Sequence, residues 1–316
     1  MAVTTTSSLP APVQQSFSYK LLSVPTPYLI HKIPAMLKQM PRNGGKILRM
    51  RRYNALPTAT VPLGNSGVYP PATQLSAVDI DAEMSFYGQY VVLNEQVTLQ
   101  NQDPVLNEAV QRLGVSLRQT EDELCRDMLA ATASQVNCVG GVNGDNPTEL
   151  TRSDVDEVVR TLMGADAYTI GSGIEGEDKY GTAPVRDAYF VMASTDLIGD
   201  LENVSGFISK IQYPNQDKTL RPEWGSIGNT RWLLSSIGSS SAAASLNGST
   251  VYNCFVAGLD AYAAVEQDGY SAQFIYRPPI YDGPLALNAS VGYKFAEVPR
   301  ITNDAWVVNL RCTLAA

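Results

Sequence analysis

Three groups of residues in this 316-residue chain have side chains or spacings that could do chemistry. Gly171, Gly173 and Gly176 stand in the order GxGxxG, the spacing of a turn that cradles a dinucleotide pyrophosphate. Such a turn needs a strand before it and a helix after it, because the helix N-terminus receives the phosphate. Here Glu175, Glu177 and Asp178 occupy the approach and Gly181 and Pro184 oppose a helix, so the segment reads as a loop. The second group is the one histidine, His31, which lies in a proline-rich stretch. A single imidazole supports neither a His-based triad nor a two-His metal site. The third group is the acids Glu108, Glu121, Glu123 and Asp127. Their spacing puts them on the polar side of a helix, where water solvates them and no general acid-base pair is set up.

The four cysteines, Cys125, Cys138, Cys254 and Cys312, include no CxxC pair and read as reduced thiols rather than a zinc site or a disulfide framework. None of the GxxxxGK[ST], HExxH or GxSxG patterns occurs. The sequence therefore predicts no catalytic residue, no cofactor and no metal. An enzyme of unrecognised type remains as an alternative resting on the carboxylates and the Gly171 loop, and loss of turnover in Glu175→Ala would support it.

Charge is distributed unevenly along the chain. Residues 1–78 hold no acid and eight bases: Lys20, Lys32, Lys38, Arg42, Lys46, Arg49, Arg51 and Arg52. All 31 acids fall after them, leaving the rest of the chain at −16 and the whole at −8. An acidic total argues against general nucleic-acid binding, which needs a basic surface to displace counterions. A basic segment joined to an acidic body predicts instead an arm that lies on an acidic surface. Ten of the 19 prolines share that segment and favour extended chain, so residues 1–45 read as an arm with few internal contacts. No apolar run reaches the roughly 18–20 residues that span a bilayer, and the N-terminus lacks the order of a signal peptide, so neither membrane nor export is expected.

The elements that would position these residues follow from periodicity. From Val78 to Phe86 apolar and charged residues alternate strictly, which predicts one strand with a buried face. Lys46 to Tyr53 is also strand-like, and Pro57, Pro62, Gly64, Gly67, Pro70 and Pro71 make a long tip between the two. Pairing about a centre near Asn65 sets Arg51 opposite Asp79 and Arg49 opposite Asp81. Asp103 and Pro104 open the strongest helix, whose stripe of Leu106, Ala109, Val110, Leu113, Leu117, Leu124, Met128 and Leu129 predicts a rod to about Val136, roughly 50 Å long, lying across a sheet. A second helix is expected from Thr151 to Met163, a strand from Ala188 to Ala193, a helix start at Ser194 to Asp196, and a terminal strand from Ala305 to Cys312.

Taken in order, these elements resemble the tailed-phage capsid fold known from phage Hong Kong 97 and shared with encapsulins. Three phrases are similar to major capsid proteins of N-four-like short-tailed phages: Phe86-Tyr87-Gly88, LTRSDV from Leu150, and WGSIGNTRWLLSS from Trp224 to Ser236. The resemblance implies an α+β fold with an N-terminal arm (1–45), an extended loop hairpin (46–88), a peripheral domain (89–165) with its spine helix at about 103–136, an axial domain (166–285), and a return strand of the peripheral domain (286–316). It further implies a major capsid protein that forms pentamers and hexamers and closes an icosahedral shell around double-stranded DNA without sequence-specific binding. Cement, scaffolding and portal proteins would be its partners, the virion its location and the bacterial host cytoplasm its place of assembly. Arg49, Arg51, Arg52, Asp79, Asp81 and Glu83 are the expected inter-subunit contacts. No lysine and asparagine stand where a covalent crosslink would need them. An encapsulin-like compartment with protein cargo is the alternative within the same fold.

Overall fold

The computed structural model describes residues 26–60, 72–96, 105–131, 134–139, 146–171, 187–213, 219–241, 249–270, 272–279, 285 and 287–315. Residues 1–25, the hairpin tip at 61–71, Asp103 and Pro104, and residues 172–186 with all but the first glycine of the GxGxxG stretch lie outside them.

In chain order the strands are β1 (Met36–Met40), β2 (Ile47–Tyr53), β3 (Ala77–Glu83) and β4 (Phe86–Asn94), followed by helix α1 (Val105–Ala130) and β5 (Gln135–Asn137). Helix α2 (Arg152–Gly164), β6 (Tyr189–Ser194), α3 (Ile198–Asn203), β7 (Phe207–Ser209), β8 (Glu223–Ile227), β9 (Thr230–Ser235) and β10 (Ser240–Ser241) come next. The chain ends with β11 (Val251–Ala257), β12 (Tyr262–Gln267), β13 (Gln273–Arg277), β14 (Asn288–Ile301) and β15 (Val307–Cys312).

They form three sheets. β1, β12, β14 and β13 lie side by side with β4 added on β14; β5, β15, β11, β6, β9, β8 and β7 make a second sheet with β10 on β11; β2 and β3 form a ribbon alone. The larger sheet is covered on both faces. Along β6, Tyr189, Val191 and Ala193 face a core built with α2 and α3, whereas Phe190 and Met192 face a second core containing Ile30, Leu129 and Phe255. That explains why the strand reads as an unbroken apolar run rather than an alternation. Of Thr151 and Ser153, the two residues suited to cap α2, Thr151 does so, in a capping box with Asp154. Ser194 caps the turn that leads into α3 by accepting the Asp196 N–H.

Helix α1 lies across β14 and β4, with Leu113 and Leu117 packed on Val291, Tyr293 and Phe295. It is shorter than its periodicity suggests. At 26 residues it spans roughly 39 Å, because Gln135–Asn137 pairs in parallel with Asn309–Arg311 instead of continuing the helix. Leu129 and Val136 keep helical spacing and the alanines between them favour helix, but a sheet edge competes for the backbone of Gln135–Asn137 and wins.

Two further expectations change. The alternation from Val78 to Phe86 is two strands: β3 pairs with β2, the chain switches partner at Met84 and Ser85, and β4 pairs with β14. The Met84 N–H donates to the Lys46 carbonyl and closes the ribbon, and the Glu297 N–H donates to the Ser85 carbonyl and opens the next ladder. Only Ala82 and Met84 on the apolar face are buried, while Val78 and Phe86 stay exposed. The arm also has more internal contacts than its prolines suggest. Ile30, His31, Ala35 and Met40 are buried, and β1 pairs in parallel with Ala263–Gln267. The 286–316 stretch is divided between the sheets, β14 going to the α1 sheet and β15 to the larger one.

Candidate functional site

Two clusters of paired charge stand out, one exposed and one buried. The exposed cluster is the β2–β3 ribbon. Its register sets Arg49 opposite Asp81 and Arg51 opposite Asp79, the pairing that its alternation predicts. Each arginine donates two hydrogen bonds to its aspartate, at 2.7 and 2.9 Å in both pairs. These bonds hold Asp79 and Asp81 below the usual carboxylate range and raise Arg49 and Arg51. Lys46 and Glu83 pair at the base of the same ribbon. Among the described residues Arg52 makes no such pair and lines, with Asp79, Asp81, Arg300 and Asp304, a groove of about 590 Å³. Five of the six expected contact residues thus meet in ion pairs within one chain, and the sixth borders the groove behind them.

The buried cluster was not expected from the sequence. His31 Nδ1 lies 2.7 Å from Asp122 Oδ2, and the backbone N–H groups of His31 and Lys32 donate to Asp122 Oδ1 at 2.8 and 3.1 Å. Both side chains are sealed from solvent. The histidine that no reaction could use is therefore an anchor, joining the arm to the spine helix.

Beside it, the Lys32 ammonium reaches three carboxylates: Glu121 at 3.0 Å, and Glu266 and Glu297 at 2.9 Å each. Glu266 and Glu297 are direct partners across β12 and β14, an arrangement of like charges that destabilises a sheet unless a cation lies between them. Burial alone would pull the lysine pKa down, but the charges of Glu297 and Glu121 outweigh it and raise it above the ordinary value. One ammonium cannot satisfy three carboxylates. Burial, only partly opposed by Lys32, pushes Glu297 up to about 7, and Glu121 also rises.

Glu121 thus departs from the solvated helix face on which its spacing put it. The traces available in the sequence were slight: adjacent bases at 31–32, adjacent acids at 121–122, and a lone acid in each of β12 and β14, Glu266 and Glu297. Among the described residues no group of three His, Cys, Asp or Glu side chains is arranged to hold a metal, and all four cysteines are free and buried. No described helix is long and apolar enough to cross a membrane. The geometry holds an extended arm on a body and ties together a ribbon whose outer face is exposed.

The sequence pattern of the phage capsid protein family matches residues 78–284. No curated protein matches the chain by sequence. Solved structures with the same fold include the head of Helicobacter pylori bacteriophage KHP40, at a TM-score of 0.68 and 10% identity, covering 100% of this chain and 98% of that one. The capsid of Ralstonia phage GP4 gives 0.68 at 13% identity with 96% of each chain covered. The capsid of cyanophage Pam1 gives 0.68 at 12% identity with 98% of each covered. At such identities the structures show a shared fold, the tailed-phage capsid fold, and do not reach down to the N-four-like group.

Proposed function

The chain belongs to the phage capsid protein family, and on that premise we propose that its copies close as pentamers and hexamers into an icosahedral shell around double-stranded DNA. A capsid protein is a structural component of the virion shell and turns over no substrate. The family match over 78–284, which takes in β3, β4, the spine helix and most of the larger sheet, is the observation that carries the reading. Assembly would take place in the host cytoplasm, with cement, scaffolding and portal proteins as partners. The α1 sheet would serve as the peripheral domain and most of the larger sheet as the axial domain, with residues 46–88 as the extended loop.

The ribbon supports this reading because it is built to project. A two-stranded ribbon is marginal alone in water and needs a neighbour to lean on. Its Arg49–Asp81 and Arg51–Asp79 ladder keeps it straight, while Ile47, Tyr53, Leu56 and Leu75 remain exposed for an adjacent copy. Arg49, Arg51, Arg52, Asp79, Asp81 and Glu83 would then act at the contact between subunits. Reversing Arg49 and Arg51 to Glu sets four like charges against one another in the ribbon. We expect a folded subunit that no longer forms shells, read by circular dichroism and electron microscopy. Normal particles from that variant would remove the ribbon from the contact.

A further inference from the structure

We propose that Cys312 is a peroxide-reactive thiol and Cys254 its partner, so that oxidation joins β15 to β11 through a disulfide. The link lies within one chain and is independent of how copies assemble.

The larger sheet places three of the four thiols together. β5, β15 and β11 are neighbours in it. Cys312, the last residue of β15, stands opposite Tyr252 in the antiparallel ladder and Cys254 stands opposite Leu310, so the two cysteines are diagonal neighbours. Residues two apart on a strand share a face, and both cysteines belong to the core built with α2 and α3. Their sulfurs lie 3.9 Å apart. On the other side of β15, the parallel register that sets Arg311 beside Asn137 brings Cys138 next to Cys312. Cys312 is thus the middle of a row of thiols, while Cys125 lies on α1, outside it.

The row gives its members different roles. Hydrogen bonds from Cys138 and Cys254 hold Cys312 below the ordinary thiol range, against the burial that would raise it. The same bonds raise Cys138 and Cys254, and the Asp154 carboxylate also bonds the Cys138 thiol and keeps it protonated. The thiolate is the form that attacks an oxidant. Cys312 is buried, but the residues after it, Leu314 and Ala315, are exposed, so fraying at this end of β15 admits a molecule as small as hydrogen peroxide. The Cys312 thiolate attacks one peroxide oxygen and the O–O bond breaks. The sulfur becomes a sulfenic acid, and the departing hydroxide takes up the proton that Cys312 had released. Cys254 then attacks that sulfur. The S–S bond forms, the S–O bond breaks, and the Cys254 proton leaves with the hydroxyl group as water. Two thiols give up two electrons, and one peroxide becomes two waters.

The place of the link determines its effect. Between the two cysteines, 58 positions apart, the chain leaves the larger sheet, builds β12, β13 and β14 of the α1 sheet, and returns as β15. A disulfide there ties the exit strand to the return strand. It also closes a long loop, the case in which a crosslink most restricts the unfolded chain. Bonded sulfurs are about 2.0 Å apart, so each sulfur needs to move by only roughly 1 Å.

Peptide mapping of the native subunit tests the assignment. After treatment with hydrogen peroxide, quenching, unfolding, alkylation and digestion without reductant, the expected product is a Cys254–Cys312 linked peptide, with Cys125 and Cys138 alkylated. The melting temperature should rise by several degrees and return when a dithiol is added. In Cys254→Ala the Cys312 peptide should instead gain oxygen, and Cys125→Ala should link as the wild type does. The wild-type map decides the matter if Cys254→Ala fails to fold. A Cys138–Cys312 link, four alkylated thiols, or a link that forms only once the chain is unfolded would overturn the assignment. A Cys254–Cys312 link without a reversible rise in melting temperature would overturn the tie between the strands.

Discussion

The arm anchor and the ribbon are built from the same materials, basic residues of the first 52 positions paired with acids of the body, yet burial gives them different work. At His31 and Lys32 the polar groups are held between α1 and two strands, the His31–Asp122 pair fully buried, and loss of one partner strands the other in a low dielectric. At Arg49 and Arg51 the pairs are exposed to water, where an ion pair adds little to the stability of the fold. A subunit that must first fold and then assemble gains from keeping the two functions apart. The buried cluster fixes where the arm leaves the body, and the exposed one shapes a surface open to solvent.

Breaking the buried side should produce the largest effect. Asp122→Ala leaves His31 and two backbone N–H groups without their acceptor, and we expect a loss of about 3–5 kcal/mol in unfolding free energy by denaturant titration. The double change His31→Leu with Asp122→Leu should recover part of that loss, because no buried charge is left unpaired. Equal stability of Asp122→Ala and wild type would show that the anchor contributes little.

The next effect concerns pH. Glu297 titrates at about 7 in the folded chain, above its ordinary 4.5, so the folded state binds the extra proton between those values. Its contribution to stability is complete below about 4.5 and is lost as pH rises through about 7, up to roughly 3 kcal/mol in all. Stability should therefore fall between pH 5 and pH 8, and Glu297→Gln should flatten that part of the profile. An unchanged slope in the variant would assign the dependence to other groups.

The smallest effect belongs to the ribbon. At about 1 M salt the screening length is roughly 3 Å, so the exposed ladder should loosen while the anchor holds. Faster amide exchange in β2 and β3 with no change in β1 is the expected pattern. A parallel change in both would erase the distinction between them.

The register of the ribbon was legible because period-two alternation and complementary charges specify it locally. The cap of α2 and the start of α3 were legible for the same reason, each resting on residues a few positions apart. The end of α1 and the particular residues that hold the arm were not. Gln135–Asn137 leaves its helical spacing for a strand near the C-terminus, and Lys32 meets a carboxylate 265 residues away. No window of sequence contains both members of such a contact, so a basic arm could be expected on an acidic surface without the acids that receive it being named.

The central claim is that the chain is a shell subunit. Electron microscopy of the purified native assembly, with its mass from light scattering, tests it most directly. Closed particles tens of nanometres across, or pentamers and hexamers convertible to them, are the predicted result. A 34 kDa monomer that persists when the other head proteins are supplied would contradict it.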